Sequence, residues 1–253
     1  MNRLWILFFL PMLSFQTDEP VSWFNGAYQQ VIYPIPPEST ASAQINASKV
    51  IRIFFEEHWA KIQITDQLAK LEGGVFGMKD GKAIPVNKYY LPGQGSSGLT
   101  DTYHIYLHED QLQQKNLLKI QGEIDEEHFQ RIQPTVPLKH KFIEGIWQLN
   151  GFALNSSGKA DDVSGTVCLK YYVYPVFLIV KYASDGRIIG FAEGLYIYDY
   201  PTASISETVE SSSLPEYRPG RQITSTITLH DNSFERITSD SEVREYWISA
   251  TAK

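Results

Sequence analysis

The sequence predicts an all-β protein in two tandem antiparallel halves, and three observations predict it. Apolar residues make up 43% of the 253 residues and aromatic residues 13%, and the β-branched and aromatic runs suit pleated, half-buried surfaces. Asp-Gly pairs stand between strand-like runs in Lys79-Asp80-Gly81-Lys82 and Ser184-Asp185-Gly186-Arg187, where a two-residue hairpin turn needs positive φ at both positions. Gly26-Ala27-Tyr28-Gln29 is echoed by Gly145-Ile146-Trp147-Gln148, and each opens a run of about 110 residues rich in strand formers.

The first residues read as a secretory signal. Arg3 is a short positive region, Leu4 to Leu13 is apolar, and Ser14-Phe15-Gln16 precedes Thr17-Asp18-Glu19-Pro20. The expected cut removes residues 1–16. The apolar run is too short for an ordinary membrane span, and no cysteine follows it to take a lipid. The mature chain is therefore expected to be secreted or periplasmic, with no transmembrane span. The net charge of −7 argues against nucleic acid and anionic membranes as partners. Cys168 is the only cysteine, so no internal disulfide forms.

The N-terminal half is expected over residues 20–135. Trp23 to Tyr33 opens it as a strand, followed by the proline-rich loop Pro34-Ile35-Pro36-Pro37. Val50 to Phe55 and Trp59 to Ile64 are strands flanking the turn Glu56-Glu57-His58. The β-branched and aromatic residues outweigh the helix formers Ala60, Leu68 and Ala69 in this stretch. Ile84 to Leu91 is a strand broken by Pro85, and Pro92 to Gly98 is a Gly/Ser loop without the Lys-Ser/Thr ending of a phosphate loop. Thr102 to Leu107, Leu112 to Ile120 and Glu126 to Ile132 complete this half. Gln133 to Lys141 holds two prolines and reads as a linker.

The C-terminal half is expected over residues 139–253. Cys168 to Val180 is nearly all apolar or aromatic, with Pro175 marking a bulge, an edge or a break between two strands. Gly194 to Tyr200 puts Tyr196, Tyr198 and Tyr200 on one face, with Leu195 and Ile197 on the other. Ser204 to Val209 is a strand. Ile223 to Leu229 alternates, with Ile223, Ile227 and Leu229 inward. Phe234 to Ile237 and Glu242 to Ala250 are the last strands. Gly26/Gly145, Lys49/Lys170, Gly77/Gly194 and Leu107-His108/Leu229-His230 align the halves at a spacing of roughly 120 residues, which predicts a duplication.

A leading Gly-x-Trp followed by antiparallel strands resembles the lipocalin or calycin pattern. The C-terminal half is similar to lipocalin-like domains of uncharacterised secreted proteins from Bacteroides-type bacteria, through Gly145-Ile146-Trp147-Gln148, the apolar strand ending in Ser184 to Arg187, Gly194-x-Tyr196 and Glu207. The resemblance implies two tandem lipocalin-like antiparallel β-barrels after the signal peptide. It implies that Trp147 plugs the closed end of the second barrel and stacks on Arg244 or Arg236. Tyr28 would replace the Trp in the first half, with Arg131 as its mate. It implies no activity.

The chemistry-bearing residues are few. His104 and His108 lie about 13 Å apart on a strand, too far to share a metal. There is no Gly-x-Ser-x-Gly elbow and no His-Glu-x-x-His. Glu193 and Glu207 are the carboxylate candidates for a glycosidase pair. Cys168, inside an apolar run, is expected to be buried and inert. The tyrosines are the most suggestive set, because each offers an apolar face and one hydrogen-bonding tip. The expected ligand-binding residues are Tyr172, Tyr174, Tyr196, Tyr198, Arg187 and Glu207. The favoured function is non-catalytic binding of a small apolar or amphipathic ligand in the second barrel, without a cofactor. The alternatives are an interaction module with filled barrels that meets a cell-envelope protein or glycan, and a hydrolase or isomerase on the same scaffold.

Overall fold

The protein is described from a computed structural model, which covers residues 24–31, 49–56, 58–64, 69–79, 82–89, 103–116, 126–134, 143–154, 165–184, 188–239 and 243–250. The proposed signal segment 1–16, most of the linker, the Gly/Ser loop and Arg187 lie outside them. The described residues form an all-β structure whose strands pair antiparallel throughout. The N-terminal strands are β1 (Gly26–Gln30), β2 (Lys49–Phe55), β3 (His58–Ile64), β4 (Ala69–Lys79), β5 (Lys82–Tyr89), β6 (Tyr103–His108), β7 (Gln111–Asn116) and β8 (Glu126–Arg131). The C-terminal strands are β9 (Gly145–Leu154), β10 (Thr166–Val173), β11 (Val176–Ala183), β12 (Ile188–Asp199), β13 (Ser204–Ser212), β14 (Gln222–His230), β15 (Ser233–Thr238) and β16 (Val243–Ser249).

Each strand pairs with its neighbours in sequence, and the last of each set returns to the first. β16 pairs with β9 over Val243↔Leu154 to Ser249↔Trp147 and closes the C-terminal barrel. In the N-terminal set β8 returns to β1 through Tyr28↔Arg131, Gln29↔Gln130 and Gln30↔Phe129. Closure removes the sheet edge that would otherwise invite aggregation. The described part of 54–72 is strand apart from the turn residue Glu56. Tyr174 and Pro175 form the turn between β10 and β11, so the proline marks a break between two strands and removes no ladder donor.

The Gly-x-aromatic sequences have a steric reason. A Cβ on Gly145 would lie 3.1 Å from the Trp147 indole nitrogen, and one on Gly26 would lie 2.7 Å from Arg131 Nη1 and 3.3 Å from the Tyr28 ring. In each case the aromatic side chain folds back over the glycine. The Trp147 indole N–H then donates to the Ile143 carbonyl at 3.0 Å, and the Tyr28 hydroxyl donates to the Phe24 carbonyl at 3.1 Å. Both are bonds to the residue four back, so each aromatic pins the segment that enters its barrel. Arg131 lies 5.0 Å from the Tyr28 ring centroid and donates to its hydroxyl at 2.7 Å. Arg244 does not meet Trp147. It faces Ala153, whereas Trp147 faces Ser249, and it pairs with Glu235 at 3.1 Å.

The register corrects two of the alignments between the halves. Tyr28 faces Arg52 and Trp147 faces Lys170, so the residue that occupies the place of Lys170 is Arg52, not Lys49. Trp59 faces Gly74 and Phe177 faces Gly194, so Gly74, not Gly77, stands where Gly194 does. At Gly194 a Cβ would fall 2.0 Å from the Thr208 carbonyl oxygen, beside a β-bulge, which only glycine accommodates.

The two sets of strands meet along an apolar seam. The outward side chains Ala27, Ile51, Ile53, Ala60 and Ile62 of β1–β3 pack with Ile146, Leu169, Tyr171, Val173, Val176, Leu178, Val180, Tyr182 and Phe191 of β9–β12. This is why β10 and β11 are apolar on both faces: one fills the barrel and the other is covered by the neighbouring barrel. At the edge of the seam the Lys49 ammonium is clamped between Glu193 at 2.9 Å and Glu210 at 2.6 Å. Burial pushes the Glu193 carboxyl above its usual range despite the attraction of Lys49.

Ile53 is 2% exposed in this seam. Ile53→Asp places an unpaired carboxylate there, at a cost of about 3 kcal/mol or more. Scanning calorimetry is expected to show the N-terminal strands melting before the C-terminal barrel in the variant. A single transition at the wild-type temperature contradicts the seam.

Candidate functional site

The C-terminal barrel encloses a charged cluster. Inward positions alternate along each strand, which brings Lys170 of β10, Glu207 of β13, Arg236 of β15 and Glu245 of β16 to one level. Lys170, Glu207 and Arg236 have side chains at most 1% exposed, and Glu245 is 17% exposed. Glu207 is the hub. Its Oε1 lies 2.7 Å from Lys170 Nζ and its Oε2 lies 2.7 Å from Arg236 Nη2. The Tyr172 hydroxyl donates to Oε1 at 2.5 Å. Arg236 also reaches Glu245 Oε2 at 3.0 Å and donates from Nε to Ser225 Oγ at 2.9 Å. The Trp247 indole N–H donates to Glu245 Oε2 at 3.0 Å.

Two cations face two carboxylates, so the cluster is neutral. Burial alone would raise the Glu207 carboxyl, but Arg236 and Lys170 outweigh it and hold Glu207 below the usual carboxylate range. Glu245 is held low in the same way, burial being outweighed first by Arg236. Burial, then the neighbouring Arg236, lowers the Lys170 ammonium. Aromatic rings wall the cluster: Lys170 Nζ lies 5.0 Å from the Tyr172 centroid and 5.4 Å from that of Trp247. Trp147 meets Phe234 edge-on at 4.9 Å, and Phe234 stacks on Trp247 at 5.9 Å. An eight-stranded barrel is about wide enough for its side chains to fill it, and these residues do so.

The N-terminal strands place polar groups at matching positions. Arg52, fully buried, donates to Gln114 and lies 5.5 Å from the Trp59 centroid and 5.1 Å from that of Phe129. Lys61 pairs with Glu127 at 2.9 Å, and Gln30 donates to the same carboxylate at 3.2 Å. Gln114 faces Glu127 as Arg236 faces Glu245.

The sequence-predicted residues divide. Tyr172 and Glu207 meet and are spent on each other. Tyr196 is buried edge-on against Tyr172 at 4.9 Å and Tyr174 at 5.5 Å, and its hydroxyl has no hydrogen-bond partner among the described residues. Tyr174 is half-buried and Tyr198 is buried. Tyr200 is 53% exposed, so the three tyrosines of β12 and its turn do not share one environment. Glu193 points outward to Lys49 while Glu207 points inward, which rules them out as a glycosidase pair. Cys168 is buried, and burial pushes its thiol up to about 12. Sequence reasoning missed Lys170, Arg236 as an ion-pair partner, Glu245 and Ser225. A charged residue at an inward position of each of four strands is the signal that finds them. Among the described residues no group of His, Cys, Asp and Glu is placed to hold a metal ion, and no helix is long and apolar enough to cross a membrane.

No family model matches this chain, and no curated protein does. The chain is similar to a solved structure described as an uncharacterized protein from Bacteroides eggerthii, with 17% identity, 42% of this chain and 98% of that chain covered, and a TM-score of 0.33. The comparison adds no residue role.

Glu207→Gln removes the one carboxylate between two buried cations. The expected cost is about 3–5 kcal/mol, read from urea denaturation at pH 7. An unchanged midpoint contradicts the role of Glu207 as hub.

The pH dependence has a definite sign. Glu207 and Glu245 have folded-state pKa values below the unfolded carboxylate value of about 4.3. Their contribution is fully present above that value and is lost as pH falls through the folded values. Glu193 is raised and acts in the opposite sense, so the comparison is with the variant. Below about pH 4, wild type is expected to lose stability more steeply than Glu207→Gln. Parallel acid-denaturation curves contradict this.

Proposed function

We propose that this chain is a non-catalytic extracytoplasmic binding protein of two tandem lipocalin-like barrels, and that it meets a cell-envelope protein or glycan on its outer surface. The observation that carries the reading is the interior of the C-terminal barrel. Lys170, Glu207, Arg236 and Glu245 neutralise one another there, and Trp147, Phe234 and Trp247 pack beside them. A resident ligand needs room and unspent polar groups. This interior offers charges already paired.

The matching registers of the two halves support an internal duplication: Tyr28↔Arg52 beside Trp147↔Lys170, and Leu112↔Phe129 beside Phe234↔Trp247. A secretory signal at residues 1–16 is the sequence's support for an extracytoplasmic site. Catalysis is disfavoured because, among the described residues, Lys170, Glu207 and Tyr172 converge without solvent access.

One observation favours the second reading, a small amphipathic ligand in the barrel: the buried Tyr196 hydroxyl has no partner, and such a group normally finds one. Native mass spectrometry of the protein recovered from its own envelope fraction separates the two. A bare mass, with a crosslinked envelope partner, is expected. A reproducible extra mass lost on denaturation overturns the surface reading in favour of a resident ligand.

A further inference from the structure

The seam between the barrels joins two copies of one surface. The registers fix which positions correspond. Tyr28↔Arg52 matches Trp147↔Lys170, and the adjoining pairs Ala27↔Ile53 and Ile146↔Tyr171 point the other way, into the seam. From β2 to β3, Ile53↔Ala60 and Ile51↔Ile62 match Tyr171↔Leu178 and Leu169↔Val180 on β10 and β11. All of these outward residues belong to the seam cluster. Each seam residue on β1–β3 therefore has its counterpart on β9–β11 in the same contact.

The strands are apposed in the same sense. Among the described residues, β2 approaches β10 more extensively than any other pair of strands approaches across the seam. β2 and β10 are themselves counterparts, because Arg52 and Lys170 occupy matching places. A surface that meets its own counterpart, strand against corresponding strand, is an isologous contact, the kind from which two-fold homodimers are built.

The two copies differ at the edge of the surface. Lys49 stands where the C-terminal barrel has Val167, and His58 stands where it has Val176. The outward positions of β10 from Val167 to Val173, and of β11 from Val176 to Tyr182, are all apolar or aromatic. A face of that kind associates when it is uncovered. In the intact chain the tether supplies the N-terminal barrel at a high effective concentration. Lys49, held by Glu193 at 2.9 Å and Glu210 at 2.6 Å, belongs to that partner alone. A second C-terminal face brings Val167 to the same place and leaves both carboxylates without their cation, so the rim favours the chain's own barrel over another copy.

We propose that the β9–β11 face is a self-complementary dimer surface, and that this chain is a homodimer of barrels fused in tandem. The partner this face fits is a second copy of itself, and in the intact chain the N-terminal barrel holds that place. This goes beyond the surface-partner reading, which concerns the outer faces that the seam leaves free. If the face does not pair with itself, that reading is untouched.

The test is sedimentation velocity of the full chain as wild type, as Ile53→Asp, and as Ile53→Asp combined with Leu178→Asp. Wild type is expected to sediment as a monomer, because each face covers the other. Ile53→Asp drives the N-terminal barrel off the seam, and the uncovered C-terminal face is expected to pair with itself, giving a mass about twice the monomer's. Unfolding of the N-terminal strands leaves this readout intact, since the pairing face belongs to the other barrel. Adding Leu178→Asp charges that face and is expected to restore the monomer. A monomeric Ile53→Asp chain, soluble open-ended oligomers without a discrete dimer, or a dimer that survives Leu178→Asp overturns the proposal. If Ile53→Asp precipitates, Lys49→Glu decides. It replaces the rim cation by a carboxylate facing Glu193 and Glu210 and loosens the seam without entering its apolar centre. Its dimer fraction is expected to rise with protein concentration, and a monomer at every concentration overturns the proposal.

Discussion

The C-terminal barrel depends on how Glu207 is paired. A carboxylate with no solvent access is costly unless its charge and its lone pairs are both met. Lys170 from β10 and Arg236 from β15 meet the charge, and the Tyr172 hydroxyl takes one of the remaining acceptor sites. β13 is thereby tied across the interior to two strands that are not its neighbours in the sheet. Such a tie penalises other arrangements as well as stabilising this one. A slip of one residue in any of the three strands turns its charge outward and leaves the others buried without a partner. Arg236 then carries the tie on to Glu245 of β16, the strand that closes the barrel against β9.

The seam between the halves follows from the same strands. β10 and β11 face the charged and aromatic interior on one side and the outward surface of β2 and β3 on the other. Each side has its own reason to be apolar, and neither can be exposed cheaply. Lys49 marks the edge of this contact. It belongs to β2, but its partners Glu193 and Glu210 belong to the other barrel. An ion pair that is still 24% exposed on the lysine side contributes little by itself. Its position at the rim of an apolar patch fixes how the two surfaces are aligned.

Much of the fold was legible because strand signals are local. Alternation in Ile223 to Leu229 and the break at Pro175 each report on their own few residues. The Gly-x-aromatic openings were legible because a ring folding back over a glycine is a contact between near neighbours. The site was less legible. The tyrosines attracted attention as a ligand set, yet Tyr172 is a hydrogen-bond donor inside an ion cluster and Tyr200 is on the surface. Lys170 reads in the sequence as one charge in an apolar run. Its meaning comes from Glu207 and Arg236, residues on strands it never pairs with.

The sequence by itself determined the strand class, the places where strands turn, and the glycines on which Tyr28 and Trp147 rest, because these depend on φ/ψ preferences and contacts a few residues apart. Only the tertiary structure decided which face of each two-sided apolar strand looks into a barrel and which looks across the seam. It also decided that four charged residues from four strands form one neutral cluster, and that Tyr217 joins the apolar interior from a surface connection. Those outcomes depend on closure, which brings together side chains whose separation in sequence carries no trace of their contact.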